Sequence, residues 1–261
     1  MNNSIQKRDV IILAGSSKAP DALTLTMDDP RKALLQINGR PMLSYVTDAL
    51  READCMRRLT LVGLSADDIP DLNAGCPIIY IPDKGSIVDN MLSAIDALSG
   101  PEQTIVCGCD LPLLTKEAVR DFLTRAEASG ADFCYPIVRQ QTMEQRFPGS
   151  GRSFRKLSDG AFAGGDIFLA APDLVRRNSN LARTLAANRK EVWGLIKAMG
   201  PGIILRFLFH RLRIIDAERQ ANKIMHGSCK AIISPYAELA MDVDKPHHLQ
   251  VVLAAMAKGQ P

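Results

Sequence analysis

Apolar residues in this chain gather into short runs, separated by stretches in which they recur every three or four positions. The runs predict β-strands at 9–14, 59–63, 77–81, 104–107, 132–137, 166–170 and 230–234. The spaced patterns predict helices at 42–53, 87–98, 116–128 and 247–258. Strands alternating with helices of this size call for a mostly parallel sheet covered on both faces, a three-layer α/β/α arrangement. From Pro172 the pattern turns helical, with helices expected at 173–188, 191–199, 202–212 and 216–226. Pro201 and the glycines beside it separate two of them. The stretch 203–213 is strongly apolar with interspersed basic residues. It is expected to pack as a core helix on the sheet, against the alternatives of a lid, a dimer surface or a membrane-surface face.

Two strand ends carry candidate chemistry. The run at 104–107 stops at Gly108 and delivers Asp110 to the strand's carboxyl end, where Pro112 turns the chain and Thr115 can cap the next helix. Ligands of open α/β sheets bind in that crevice, so Asp110 is placed to hold a metal; the competing reading is a turn aspartate bonded to its own backbone. The first strand ends at Leu13-Ala14-Gly15, followed by Ser16 and Ser17. Glycine permits close approach and positive φ, so this loop can turn N–H groups toward phosphate, and Lys32 can add a point charge. Further on, Ser86 is placed to cap a helix with Asp89 in its first turn, at an end that also suits anions. Arg139, Arg146, Arg152, Arg155 and Lys156 surround a glycine-rich loop and could grip a phosphorylated molecule, unless they form only a solvated basic loop.

Composition narrows the class. The 261 residues carry a net charge of +3, too small to imply nucleic acid. Six cysteines fall without zinc-type spacing or a secretory framework, which suits a reducing cytoplasm; Cys107 is expected in the core. The N-terminal residues do not read as a signal peptide, and no apolar run is long enough to cross a membrane. His210 and His226 read as ordinary helix histidines, and His247 and His248 are given no metal role.

Three segments together resemble the MobA-like NTP transferases, the family of the molybdenum-cofactor guanylyl- and cytidylyltransferases related to the sugar-phosphate nucleotidyltransferases. They are Leu13-Ala14-Gly15 with Lys32 and Gly39-Arg40-Pro41-Met42-Leu43; Gly108-Cys109-Asp110-Leu111-Pro112-Leu113; and Met241-Asp242-Val243-Asp244-Lys245-Pro246. The chain departs from the family pattern at Ser16, where a glycine is usual, and lacks the Arg-Met-Gly that precedes the lysine. Asp21, Asp28 and Asp29 fill that segment, and Arg31 is the candidate replacement for the missing arginine.

The resemblance implies a single domain over 1–261 of the nucleotide-diphospho-sugar transferase type, GT-A or Rossmann-like, with a helical insertion at about 172–228. It implies an enzyme that joins an NMP from an NTP to a small anionic acceptor, with a phosphorylated acceptor as the leading class, and releases pyrophosphate. Lys32 and Asp110 would be catalytic, and Asp110 with Asp244 would hold Mg²⁺. Leu13, Ala14, Gly15, Ser16, Lys32, Lys84, Gly85, Ser86 and Asn90 would bind nucleotide. Arg152, Arg155, Gly164, Gly165 and Asp166 would bind acceptor. The other readings are a non-catalytic nucleotide- or nucleotide-sugar-binding homologue, and a transferase acting on a membrane-bound phosphate. No nucleic-acid partner is expected, and a homodimer is open.

Overall fold

The computed structural model describes residues 5–15, 23, 29–98, 100, 102–187 and 201–259. In chain order these form β1 (Arg8–Leu13), β2 (Gln36–Ile37), β3 (Arg40–Pro41), α1 (Met42–Glu52), β4 (Met56–Val62), β5 (Ile78–Ile81), α2 (Ile87–Asp96), β6 (Thr104–Gly108), α3 (Lys116–Ser129) and β7 (Phe133–Arg139). There follow α4 (Gln140–Arg146), β8 (Arg155–Leu157), β9 (Gly160–Gly164), β10 (Ile167–Ala170), α5 (Pro172–Arg177), α6 (Ser179–Ala187), α7 (Pro201–Leu208), α8 (Ile214–Met225), β11 (Cys229–Ser234) and α9 (Pro246–Ala257). Short 3₁₀ turns occupy Lys32–Leu34 and Ala237–Ala240. The helix expected at 191–199, and Ser16, lie outside the described residues.

The strand period of two divides the core into two layers. On β1, Val10 and Ile12 join one apolar cluster while Ile11 joins the other. The first cluster takes the buried faces of α1, α3 and α9, including Leu43, Leu50, Phe122 and Val252. The second takes Ala94 and Ile95 of α2 and Val175 of α5. Helices therefore cover both faces. Helix α3 is bounded as its sequence predicts: the Thr115 hydroxyl accepts the Ala118 N–H at 3.2 Å, and Gly130 closes it at φ +62°.

Strands run β5-β4-β1-β6-β10-β7, with β11 also on β7 and the β9–β8 hairpin against the carboxyl half of β7. Pairings β5–β4, β4–β1, β1–β6 and β7–β11 are parallel. Strands β10, β9 and β8 pair antiparallel with their neighbours, so the sheet is parallel on one side and mixed on the other. The two short strands of the hairpin fall in the glycine- and base-rich stretch read as loop; Phe162 and Ala163 are its buried anchors. The chain leaves β1 toward β4 on one side and returns to β6 on the other. The carboxyl ends of β1 and β6 thus flank a topological switch point, where α/β sheets bind ligands.

The helix-rich stretch is also broken more often than expected. Helices α5 and α6 meet at Asn178, whose side-chain amide donates to the carbonyls of Leu174 and Met225, both at 2.9 Å. The expectation that 203–213 is core is overturned. Leu205, Leu208 and Phe209 are exposed and Phe207 is only half-buried; Leu212 alone in that stretch is buried.

The parallel edge is tight where it meets the switch point. The Gly63 N–H donates to Ile81 O at 2.8 Å, and a Cβ on Gly63, which sits at φ +97°, would fall 2.5 Å from the Gly15 backbone. Gly63→Ala is expected to lower the urea-unfolding free energy by about 1–3 kcal/mol through backbone strain. Gly202→Ala, inside a helix where a Cβ meets nothing within 4 Å, serves as the control and should not lower it.

Candidate active site

Asp110 follows the end of β6 by two residues, and Gly108 makes room for its carboxylate. A Cβ on Gly108 would lie 2.8 Å from Asp110 Oδ1. The Asp110 carbonyl accepts the Val243 N–H at 2.9 Å, which ties this loop to the segment carrying Asp244. Lys32 reaches in from its 3₁₀ turn. Its ammonium donates to Asp110 Oδ2 at 3.1 Å and to Asp244 Oδ1 at 2.5 Å. Burial opposes the lysine charge, but the carboxylates of Asp110 and Asp244 more than offset it and hold the ammonium above its usual range. The Asp244 N–H donates to His248 Nδ1 at 3.2 Å, so that nitrogen carries no proton. Burial, then the nearby Arg152 charge, lowers His248 to about 4. It is a neutral support for the loop.

A second tier of charge lies behind. Asp166 sits between β9 and β10, where its carbonyl accepts the Gly108 N–H at 2.8 Å. Asp242 is buried and bonded to the Arg152 guanidinium. Burial, reinforced by Asp110 and Asp244, pushes Asp166 up to about 6. Burial and the Asp166 charge push Asp242 to about 8, despite its arginine. Burial raises Asp110 against the attraction of Lys32. Asp244 moves the other way: its side chain is about half-exposed, so the desolvation that opposes its charge is outweighed by hydrogen bonds from Lys32 and Asp242, which lower it. Four carboxylates face two cations, so ionising all of them would leave an excess of negative charge. Tyr135 closes the floor, and burial followed by the Asp166 charge raises it to about 12. Gly164 and Gly165 are required here: a Cβ on Gly164 would overlap the Tyr135 hydroxyl, and one on Gly165 would lie 2.6 Å from Leu239 O.

The carboxyl ends of β1 and β5 form the adjoining wall. Ala14 is buried, and Leu13 ends the strand beside Gly108 of β6. A Cβ on Gly15 would lie 2.6 Å from Asn90 Nδ2 and 3.0 Å from the Asp83 carboxylate. Asn90 is buried; its side chain accepts the Lys84 N–H at 2.6 Å and donates to Asp83 Oδ1 at 2.9 Å. The Gly85 N–H donates to the same Asp83 oxygen at 2.7 Å. Ser86 caps α2, accepting the Asp89 N–H at 3.1 Å. Of the candidate nucleotide residues, Lys84, Gly85 and Asn90 are therefore one hydrogen-bonded wall, with Gly15 packed closely against it.

Other candidates are not gathered. Of the five cations around the glycine-rich loop, Arg152 alone joins the carboxylates. Arg146 pairs with Glu238 at 2.7 Å, and Arg139 stacks over Phe162. Arg155 and Lys156 are exposed on β8; Arg155 pairs with Phe162, roughly 13 Å along the strand from Asp166 at ~3.3 Å per residue. Arg31 does not stand in for the missing arginine: its guanidinium is taken by Asp29 at 2.6 Å and Asp68 at 2.7 Å. Asp242, Asp83, Tyr135 and Gly63 were missed as site residues. Asp242 had a signal, its place in the same short motif as Asp244; the others depend on contacts between distant strands.

Among the described residues, no three His, Cys, Asp or Glu side chains are grouped so as to hold a metal by themselves. Two carboxylate oxygens nevertheless converge on one positive centre, the Lys32 ammonium. Mg²⁺ takes one or two carboxylates and completes its shell with phosphate oxygens and water, so this donor set fits Mg²⁺ bound together with a phosphate ligand.

A parallel sheet with a glycine-lined crevice and acids at its switch point is the arrangement of nucleotide-handling transferases, and comparison with known proteins gives the class. The sequence model of the MobA-like NTP transferase domain matches residues 10–226, and the chain belongs to that family. A solved hypothetical transferase from Thermus thermophilus is 32% identical, with a TM-score of 0.81 over 94% of this chain and 100% of that one. CMP:2-keto-3-deoxy-manno-octonic acid synthetase, solved with CTP, shares the fold at 15% identity and a TM-score of 0.60, over 97% of this chain and 99% of its own. The bifunctional protein GlmU of Geobacter metallireducens is 28% identical over 152 residues, 56% of this chain and 29% of that protein; the chain thus spans under a third of that relative.

The raised carboxyls make a pH prediction. Between about pH 4 and 6 the folded protein holds a proton on Asp166 that the unfolded chain releases, so the stabilisation present at low pH is lost as pH rises through 6. In metal-free buffer, Asp166→Asn is expected to raise the melting temperature at pH 8 and to leave it close to the parent at pH 4. An equal shift at both pH values would remove Asp166 from the proton-sharing cluster.

Proposed function

We propose that this chain is a Mg²⁺-dependent nucleotidyltransferase, of the class written EC 2.7.7.-, which joins the NMP of an NTP to a small anionic acceptor. The reading is carried by one observation: the carboxylates of Asp110 and Asp244 converge on the Lys32 ammonium at the switch point of the sheet. The glycine-lined wall of Gly15, Asn90 and Asp83 next to that point supports a nucleotide there. Free thiols at all six cysteines suit a cytoplasmic setting.

In this reading Asp110 and Asp244 hold Mg²⁺, which when bound neutralises phosphate charge and orients the α-phosphate. The remaining work falls to the chain's own groups. Gly15 and the Lys84-Gly85 turn, whose N–H groups are held by Asn90 and Asp83, shape the nucleotide side. Lys32 exchanges part of its carboxylate contact for the phosphates of the NTP. Arg152, held by Asp242, with Gly164, Gly165 and Asp166, shapes the acceptor side. A phosphorylated acceptor attacks the α-phosphorus through an oxygen that is already ionised, so no general base is needed. The bond from the α-phosphorus to the bridging oxygen breaks, and pyrophosphate leaves with the electron pair. Rate then depends on positioning and charge rather than on a covalent nucleophile.

The test is to incubate the protein with each NTP, Mg²⁺ and a panel of phosphorylated acceptors and to follow pyrophosphate release. Asp110→Asn is near-isosteric and is expected to fold normally while losing both turnover and Mg²⁺-dependent NTP binding. Turnover equal to the parent would take Asp110 out of the site. Mg²⁺-dependent NTP binding with no release for any pair would instead favour a non-catalytic binding homologue. Lys32→Ala is expected to weaken NTP binding by about 1.5–3 kcal/mol, more than it weakens NMP binding, because its proposed partners are the outer phosphates. Equal losses in calorimetric titrations with NTP and NMP would place its role elsewhere.

A further inference from the structure

Helix α7 and the turn after it present apolar side chains to solvent: Leu205 is 54% exposed, Leu208 61% and Phe209 70%. A fixed turn holds them there. The Phe209 N–H donates to Leu205 O at 3.0 Å, the Arg211 N–H donates to Arg206 O at 2.7 Å, and His210 adopts the left-handed conformation at φ +54°. This tip is tied to the sheet, since the Ser158 N–H donates to Leu212 O and the Ile214 N–H donates to an Asp159 carboxylate oxygen. The charge around it is mostly positive, the exception being the Asp159 carboxylate, which the Ile214 N–H engages. Residues 201–213 contain three arginines and no acid. Arg206 and Arg211 are exposed, and Arg155 and Lys156 add exposed cations on the neighbouring hairpin. The nearest acid in sequence, Asp216, is engaged by Arg213 at 3.0 Å.

We propose that this face seats the protein on the anionic surface of a lipid bilayer, with Leu205, Leu208 and Phe209 entering the headgroup boundary and the flanking cations meeting lipid phosphates. Apolar side chains ringed by Arg and Lys are the composition that binds such surfaces, through buried apolar area and attraction to anionic lipid together. Charge selects the bilayer over a second copy. A two-fold dimer sets a patch against itself, and here that would oppose cation to cation. The inference is independent of the reaction assigned to the acid cluster.

The experiment is co-sedimentation of the full chain with phosphatidylcholine vesicles, with and without about one third phosphatidylglycerol, at low and high salt. The parent is expected to bind the anionic vesicles at least tenfold more tightly than the neutral ones, with the difference collapsing at high salt. Leu208→Ser with Phe209→Ser, and separately Arg206→Glu with Arg211→Glu, should each lose at least tenfold while keeping the parental melting temperature. The second pair alters only exposed charge and keeps the test decisive if the first pair perturbs folding. No binding to anionic vesicles, or binding retained by the charge-reversed variant, overturns the proposal. So does a parent dimer that the serine pair dissociates without any vesicle binding, which would assign the face to a second copy.

Discussion

The pairing of one ammonium with two carboxylates is the constraint on which the rest of this molecule depends. Lys32 belongs to the turn after the first strand, Asp110 to the loop leaving β6, and Asp244 to the segment before α9. Removing Lys32 would leave the largely covered Asp110 carboxylate without its cation, which costs more than the pair contributes when intact. The surrounding structure serves this arrangement. Gly108 opens space for Asp110, the Val243 N–H fixes the C-terminal segment on the Asp110 loop, and neutral His248 props Asp244 from below.

Behind this centre the protein tolerates an expensive excess of acid. Asp242 is buried and Asp166 lies at the open side of the same cluster beside Asp110, and Arg152 offsets only part of their charge. Burial and the crowding of like charges raise these carboxyl groups and favour a shared proton among them. The antiparallel strands β9 and β10 make the cluster possible. They bring Asp166 alongside β6, whereas a purely parallel sheet would send the chain through another crossover before it could return.

The parallel half of the fold was legible in the sequence because its central strands are buried on both faces and read as unbroken apolar runs. Val10-Ile11-Ile12-Leu13 and Thr104-Ile105-Val106-Cys107 are the clearest cases, and the acid and glycine that end them fall where a switch point needs them. The β8–β9 hairpin was not legible: its strands are short, half-exposed and interrupted by glycine, so no periodicity develops. The stretch 203–213 misled for a related reason. Composition reports that side chains are apolar, not whether a surface exists to cover them. Asp83 and Tyr135 stayed hidden because their importance lies in contacts with Gly15 and Gly164, which only the folded sheet creates.

The span of the Lys32–Asp244 bond has a consequence for synthesis. Its partners are 212 residues apart, and the Arg152–Asp242 pair adds a span of 90. Chains grow at about 5–20 residues per second, so the ribosome holds this polypeptide for many seconds with β1, β4 and β5 already able to pair. Throughout that time the acids near Asp110 lack their C-terminal partners. A nascent chain with the Gly15–Asn90 wall formed but no Asp242 or Asp244 has only part of the charge centre. The centre is complete only once Asp242 and Asp244 have joined it, so its assembly must follow that of the parallel strands by topology alone.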